Sequence, residues 1–565
     1  MAFAGHAGTI HRPGCGLLLD TAVVICAPVG REGRCAYRPL WRWAGELADQ
    51  GLQVLRYDHL GEGDSVDVDP AADQWQAWLR GLGQATAFCR ERTGARRLVV
   101  VGLRAGATLA AAADAGADEL VLIAPFETGA AWLNELRLAA RVKGGAIHSD
   151  GAVEVDGLHL SSATVTSLEA LRLPALDGVG RALVAGSTSA RFGQAAERAP
   201  FPGLNKLFKD AHVNEFPQGP LDRIAGWILQ GAAQASRPPP PLAAAALTAD
   251  DWTETTVAFG PGLRGVVCLP RLGPPRQGVI FGNTGGDPRA GIGSFGARAC
   301  RALASSGVAA LRIDFAGVGE SEAETGWRSH VYETSRLGDF KDAAAVLRAH
   351  GVEEVTLAGV CTGGYHAVHA VLAGAGFDKA VAFNAWLVWR SGDRLESTEH
   401  RAALRPEDMP LIAQGGASLR ARFMRMTAGM QQALRLSWKA MRPDASAVGV
   451  RRAVAEASRR GVQIRLVFGR GDVSTRGLHA DFHRRGRWLT RRPGLSVSLI
   501  RGLDHALFSR ESQAAACAEL FEFLGVAGKA RPSAEPLDLP DLEPAARAPG
   551  GGISAGLPAL TAPLR

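Results

Sequence analysis

Three segments of this 565-residue chain occur twice in the same order. AVVICAPVG at 22–30, LQVLRYDHLGEGDS at 52–65 and RRLVVVGLRAG at 96–106 are matched by QGVIFGNTGG at 277–286, VAALRIDFAGVGES at 308–321 and EEVTLAGVCTGG at 353–364. The spacing is kept too: about 45 residues separate Asp58 from Gly102 and Asp314 from Gly359, room for one crossover helix between parallel strands. A repeat this long means one architecture used twice. Continuous apolar runs alternate with amphipathic ones in each copy, the α/β pattern of a mostly parallel sheet covered by helices on both faces.

In the second copy strands are expected at 278–282, 308–314, 354–359, 379–384, 463–468 and 496–500. Four successive prolines forbid a helix through 233–251, which reads as a linker between a first domain, 8–232, and a second, 252–527. The Pro-, Ala- and Gly-rich tail 528–565 has no apolar period and is expected to be disordered. A net charge of +7 spread over the whole length argues against nucleic acid as a partner. No run of eighteen apolar residues is present, the start lacks a signal-peptide pattern, and a cytoplasmic location is expected. The eight cysteines include no CxxC pair and no His-Cys cluster, so neither a metal site nor a disulfide framework, and no cofactor, is expected.

LAGVCTGGYHA at 357–367 and VVGLRAGATLA at 100–110 each run from a strand into a glycine-flanked turn and on into a helix. The apex of such a turn is driven toward positive φ, and the positions two before and two after it leave no room for a side chain. Gly359 and Gly363 serve Cys361; Gly102 and Gly106 serve Arg104. The apex side chain then stands above the sheet at a helix N-terminus, where negative charge is stabilised.

Taken together, GVCTG, the paired DHLGEGDS and DFAGVGES loops, FGRGD at 468–472 and GLDHALF at 502–508 make the chain resemble two tandem α/β-hydrolase domains. The resemblance implies the chain order nucleophile, acid, histidine, carried by Cys361, Asp472 and His505. Asp393, in WRSGD, is an alternative acid. The oxyanion would be met by the backbone N–H of Thr362 and by a donor near Asn283 or Thr284. His366 and His369, on the cysteine's own helix, are expected in packing. Serine is the usual apex, and cysteine elbows resemble those of dienelactone hydrolases and polyester synthases. The layout, with WLNELRLAAR at 132–141 and GLDHALFS at 502–509, is similar to hydrolases of bacterial exopolysaccharide and exosortase loci.

The first copy loses the triad. Arg104 cannot attack a carbonyl, the acid position falls near Ser189, and His212 is read as preceding the last strand, with no histidine after it. This copy therefore resembles a pseudo-hydrolase, with Arg104 either binding an anion or lying in solvent. In the second copy an insertion at about 386–460 is expected to be a helical cap; it holds Met409, Met424, Met426, Met430 and Met441. Methionines suit a flexible acyl chain, and the interleaved arginines suit an anionic carrier or weak peripheral contact with anionic lipid. Trp386 and Trp389 at the cap entrance would instead suit a sugar-linked acyl ester. The activity expected is esterase- or thioesterase-like acyl transfer, with an acyltransferase and a non-catalytic scaffold as the other readings.

Overall fold

The computed structural model describes residues 1–526 except 15, 175, 177–178, 187–195, 243–244, 324–331, 333, 387–389, 392–393 and 396–444. Ser189, Trp389, Asp393, the five methionines of the expected cap and the tail from 528 lie outside the described residues.

The first half supplies β1 (Ala2–Phe3), β2 (His6–His11), β3 (Thr21–Cys26), β4 (Gln53–Tyr57), β5 (Arg97–Leu103) and β6 (Glu119–Ile123). A small antiparallel sheet follows, β7 (Ala146–Ile147), β8 (Val153–Val155) and β9 (Leu158–Leu160), and then β10 (Arg181–Ala185) and β11 (Ala196–Ala199). The second half supplies β12 (Leu247–Thr248), β13 (Trp252–Phe259), β14 (Leu263–Pro270), β15 (Gln277–Gly282), β16 (Ala309–Asp314), β17 (Glu354–Val360) and β18 (Lys379–Phe383). After a short hairpin, β19 (Arg390–Ser391) and β20 (Arg394–Leu395), come β21 (Gln463–Gly469) and β22 (Leu495–Ile500).

The repeat is a repeat of topology. One sheet has the order β1-β2-β4-β3-β5-β6-β10-β11; the other reads β13-β14-β16-β15-β17-β18-β21-β22, with β12 added at its edge. In both, the first hairpin lies antiparallel to the next strand and every later pairing is parallel. Register is kept: Ala22 faces Gln53 and Gly278 faces Ala309. Strands such as β3, buried at every position, alternate their side chains between two helical layers. Ala22, Val24 and Cys26 join one apolar core, Val23 and Ile25 the other. A third core crosses between the halves, packing Leu60, Val66 and Ala77 with Phe281, Phe295 and Cys300.

Three boundaries differ from the sequence reading. The first sheet begins at Ala2, because the opening residues form the β1–β2 hairpin. The expected linker contributes β12, which pairs with Trp252–Phe259. The last strand of the first half is Ala196–Ala199, so His212 follows it; AERA carries no apolar run to announce a strand, and it pairs only at the sheet's edge. Among the described residues no helix is long and apolar enough to cross a membrane.

Candidate active site

β17 enters the turn through Leu357, Ala358, Gly359 and Val360, and the helix Thr362–Leu372 leaves it. Cys361, at the apex, has φ 52° and ψ −110°, a conformation that L-residues adopt only under constraint. The constraint is close packing. A Cβ on Gly359 would lie 2.3 Å from the Gly363 backbone, and one on Gly363 would lie 2.6 Å from the Gly282 carbonyl oxygen. Both positions therefore exclude every other residue.

Two loops at the same end of the sheet bring the other groups. Asp472, past the end of β21, is held by Ser474, whose N–H (2.8 Å) and hydroxyl both donate to Oδ1. Its Oδ2 meets His505 Nδ1 at 2.9 Å, leaving Nε2 for the sulfur. The Asp472 side chain is nearly buried while His505 is about a third exposed. Neighbouring Asp504 plays a different part. Its carboxylate accepts the N–H groups of Phe508 (2.6 Å) and Ser509 (3.0 Å) and shapes the turn into the next helix.

These contacts set the charges. Burial alone would raise the Cys361 thiol, yet the charge and hydrogen bond of His505, with donors from Tyr332 and the Thr362 N–H, hold it below its ordinary value. Burial would lower His505; the Cys361 charge and the Asp472 hydrogen bond carry it well above the usual imidazole range. Burial likewise opposes ionisation of Asp472, and His505 and Ser474 overcome it. Both shifts run toward a thiolate beside an imidazolium. Elsewhere burial pushes the thiols the other way, Cys26, Cys89, Cys300 and Cys517 each up to about 12.

Two participants had no sequence motif. Tyr332, in the segment before the helix Leu337–Ala349, places its hydroxyl 3.2 Å from the Cys361 sulfur. Burial keeps that phenol protonated, its pKa well above 10, so it donates. Tyr332, Tyr365 and Trp386 form an aromatic cluster against Cys361 and Val473. Asn384, fully buried just past β18, has φ 46°. Its Nδ2 donates to the carbonyls of Asp504 (2.7 Å) and His505 (2.9 Å), and its Oδ1 accepts Gly469 N–H at 2.8 Å. One side chain thus ties the acid strand to the histidine loop. An asparagine directly after an apolar strand, in VAFNAW, is the trace it leaves in the sequence.

The loop after β15 lies against the elbow. The Thr362 hydroxyl donates to the Asn283 carbonyl (3.1 Å) and accepts the Gly285 N–H (2.6 Å). The Asn283 side chain is occupied: Nδ2 donates to the Asp287 carbonyl and to Asp314, and Oδ1 accepts the Phe315 N–H. It braces the loop and is not available to an oxyanion; Thr284, beside it, is half-buried. His366 is buried edge-on to Phe315, and His369 lies against Tyr365. Among the described residues no three His, Cys, Asp or Glu side chains are grouped to hold a metal ion.

Arg104 has the same backbone as Cys361, φ 51° and ψ −118°. Its guanidinium does not lie in solvent: Nε donates to Glu32 at 3.0 Å, Nη2 to Glu135 at 2.5 Å, and the group sits 4.1 Å over the Phe126 ring. Two carboxylates already occupy it.

No family model matches the chain, and no curated protein matches it. Solved structures that align with part of it include an esterase of Pyrococcus furiosus, with 13% identity over 51% of this chain and 98% of the other and a TM-score of 0.33. A dienelactone hydrolase-like promiscuous phosphotriesterase from metagenomic libraries gives 15%, 49%, 99% and 0.30. A serine hydrolase without lid from Xanthomonas campestris gives 17%, 51%, 97% and 0.28.

Proposed function

We propose that the chain is a tandem α/β-hydrolase whose second half transfers acyl groups through Cys361, with His505 as acid–base and Asp472 as its orienting partner. The observation that carries this reading is the His505 ring, fixed by Asp472 at 2.9 Å, together with a cysteine at a strand-to-helix apex whose thiol the His505 charge holds below its ordinary value. In the reaction the thiolate attacks the carbonyl of an ester or thioester, and the negative charge passes to the carbonyl oxygen near the Thr362 N–H. As that intermediate collapses, the bond to the leaving group breaks and His505 hands it the proton, leaving a Cys361 thioester. His505 then takes a proton from water, or from an acceptor alcohol, which attacks the thioester and regenerates the thiolate. The Tyr332–Tyr365–Trp386 cluster favours an apolar acyl group at the nucleophile. The first half is, in this reading, catalytically silent, and the likeness to exopolysaccharide and exosortase hydrolases points to a sugar- or carrier-linked acyl ester.

Incubation with an activated aryl ester or acyl thioester, followed by mass spectrometry, tests the proposal. A single acyl adduct on Cys361, absent in Cys361→Ala, is the expected result. Equal labelling of parent and Cys361→Ala would refute it and leave a non-catalytic scaffold as the better reading. A rise in kcat/KM of roughly threefold or more per added methylene, from burying about 0.8 kcal/mol each, identifies a long-chain pocket; a flat profile favours the acyl-sugar.

A further inference from the structure

Arginine in the middle of a buried strand is costly, and it occurs twice here, at Arg56 in β4 and Arg312 in β16. Both reach across to the other half. Arg56 Nη1 donates to Glu320 at 3.0 Å and Arg312 Nε to Asp64 at 2.9 Å, as a pseudo-symmetric exchange. Around them Arg289 and Arg301 complete a buried set that faces Asp64, Glu254, Asp314 and Glu320. The set is nearly dry: Arg312 and Asp314 have no exposed surface.

The exchange is symmetric; what it supports is not. Arg289 belongs to the loop that follows β15, and its backbone N–H and Nη1 both bind Asp314 at 2.7 Å, while its Nε binds Asp64 at 2.9 Å. Asp314 in turn accepts Asn283 Nδ2 at 3.1 Å, and the Asn283 carbonyl accepts the Thr362 hydroxyl beside the nucleophile. A chain of buried hydrogen bonds, charge-assisted as far as the Asn283 side chain, thus runs from Asp64 in the first half to the residue after Cys361. The same loop is gripped from the first half at two further points. Arg34 Nε stands 3.7 Å from Asp287, and Gly286 lies so close to the His212 backbone that a Cβ would come within 2.8 Å. In the first half Asp58 takes the place of Asp314, but among the described residues no arginine hydrogen-bonds to it; it accepts the Asp64 N–H at 2.8 Å.

From this geometry we propose that the first half is a positioning element for the 283–291 loop of the second, which holds Thr362 beside the nucleophile, acting mainly through the Asp64 carboxylate on Arg289. The proposal rests on the Cys361 reading for its catalytic consequence, and on the loop contacts for its structural one. Neutralising Asp64 leaves Arg289 and Arg312 buried with a missing counter-charge, which loosens residues 283–291 without touching Cys361, His505 or Asp472.

The test uses the full-length chain carrying Asp64→Asn. Three quantities are measured: the burst rate with p-nitrophenyl acetate, the rate of Cys361 alkylation by iodoacetamide, and hydrogen exchange of the peptide spanning 283–291. The burst is expected to slow about tenfold or more with KM within about threefold, since the loop anchors Thr362, whose N–H the proposed reading sets at the oxyanion, and that contact acts on the transition state. Alkylation stays within about twofold because the thiolate is intact, exchange of the loop amides quickens about tenfold, and Asp64→Glu restores part of both. Arg97→Gln, which breaks the Arg97–Glu119 pair (2.7 Å) inside the first half, serves as a stability control expected to leave loop exchange unchanged. Should Asp64→Asn not fold, Arg34→Gln makes the same comparison at the outer contact. Unchanged exchange, or equal losses in Arg97→Gln, overturns the proposal. If the parent forms no adduct on Cys361, the catalytic reading falls, while loop exchange still decides the positioning claim.

Discussion

The two elbows are the same object with different contents. Arg104 and Cys361 agree in φ to within a degree or so, at 51° and 52°, and each is flanked by glycines whose missing side chains let strand and helix touch. Holding a non-glycine residue there costs about 1–2 kcal/mol. In the second half the strain presents a sulfur to His505 and Tyr332; in the first it presents a guanidinium to Glu32 and Glu135. A second pair repeats the lesson: Ala124 and Asn384 share positive φ, at 48° and 46°, but only Asn384 fastens the histidine loop. The fold preserves the turn whatever its apex, so the chemistry proposed for the second half belongs to the apex and to what stands over it, not to the turn.

The hardest test of that comparison exchanges the apices. Cys361→Ala is expected to abolish acylation, a loss of about 10³-fold or more, since no other described thiol is held as thiolate. Arg104→Cys should gain nothing measurable, because the described residues bring it no histidine–carboxylate pair. Acyl adducts on the introduced thiol of that variant would show that the turn alone suffices, and would break the comparison.

Next in size come the groups over the sulfur. Asp472→Asn should lower kcat by about 10²–10⁴-fold by misorienting His505. Asn384→Ala, which gives the second half the residue of the first, should cost roughly tenfold, with the loss in kcat and not KM. A stopped-flow burst separates the two terms. Tyr332→Phe removes a donor to the sulfur, so the pH midpoint of iodoacetamide reactivity at Cys361 should move upward. The sign follows from the depressed thiol. Reactivity appears as pH rises through the lowered value, and weaker stabilisation of the thiolate brings that value nearer to 9. At neutral pH Cys26, Cys89, Cys300 and Cys517, pushed up to about 12, should stay unlabelled in the folded chain.

The sequence exposed what was apolar and periodic. QGVIFG, EVTLAGV and QIRLVFG are unbroken runs between polar turns, and the strands end within a residue or two of where those runs end. AERA has no such run, which hid β11 and put His212 on the wrong side of it. The α/β-hydrolase resemblance pointed to Cys361, Asp472 and His505 by their order along the chain, and the structure sets the last two 2.9 Å apart. Tyr332 could not be found that way: it sits in a stretch without periodicity, and only the folded chain brings it to the sulfur. The same holds for Asp64 and Arg289, joined across the whole first half, although the arginines inside LRYD and LRID were a visible anomaly.

The smallest effect expected is at Arg104 itself. Arg104→Ala should leave the burst rate and kcat unchanged while lowering stability by about 1–2 kcal/mol, the range for a partly buried ion pair that leaves its partner behind. The partner that matters is Glu32, since Glu135 is largely exposed. Burial already raises the Glu32 carboxyl above 4.5 against the pull of Arg104. Without the guanidinium it rises further, so the folded state holds a proton that the unfolded state has released. Stability then falls as pH climbs from 4.5 through that raised value. The deficit in thermal midpoint relative to the parent should accordingly be full at neutral pH, shrink as pH falls through the raised value, and be lost below 4.5, where Glu32 becomes neutral in both states. A deficit independent of pH would mean that the Phe126 contact, not the ion pair, is what Arg104 supplies. A loss of kcat would mean that the Arg104 elbow reaches the Cys361 elbow, and the two halves could no longer be told apart by their apices.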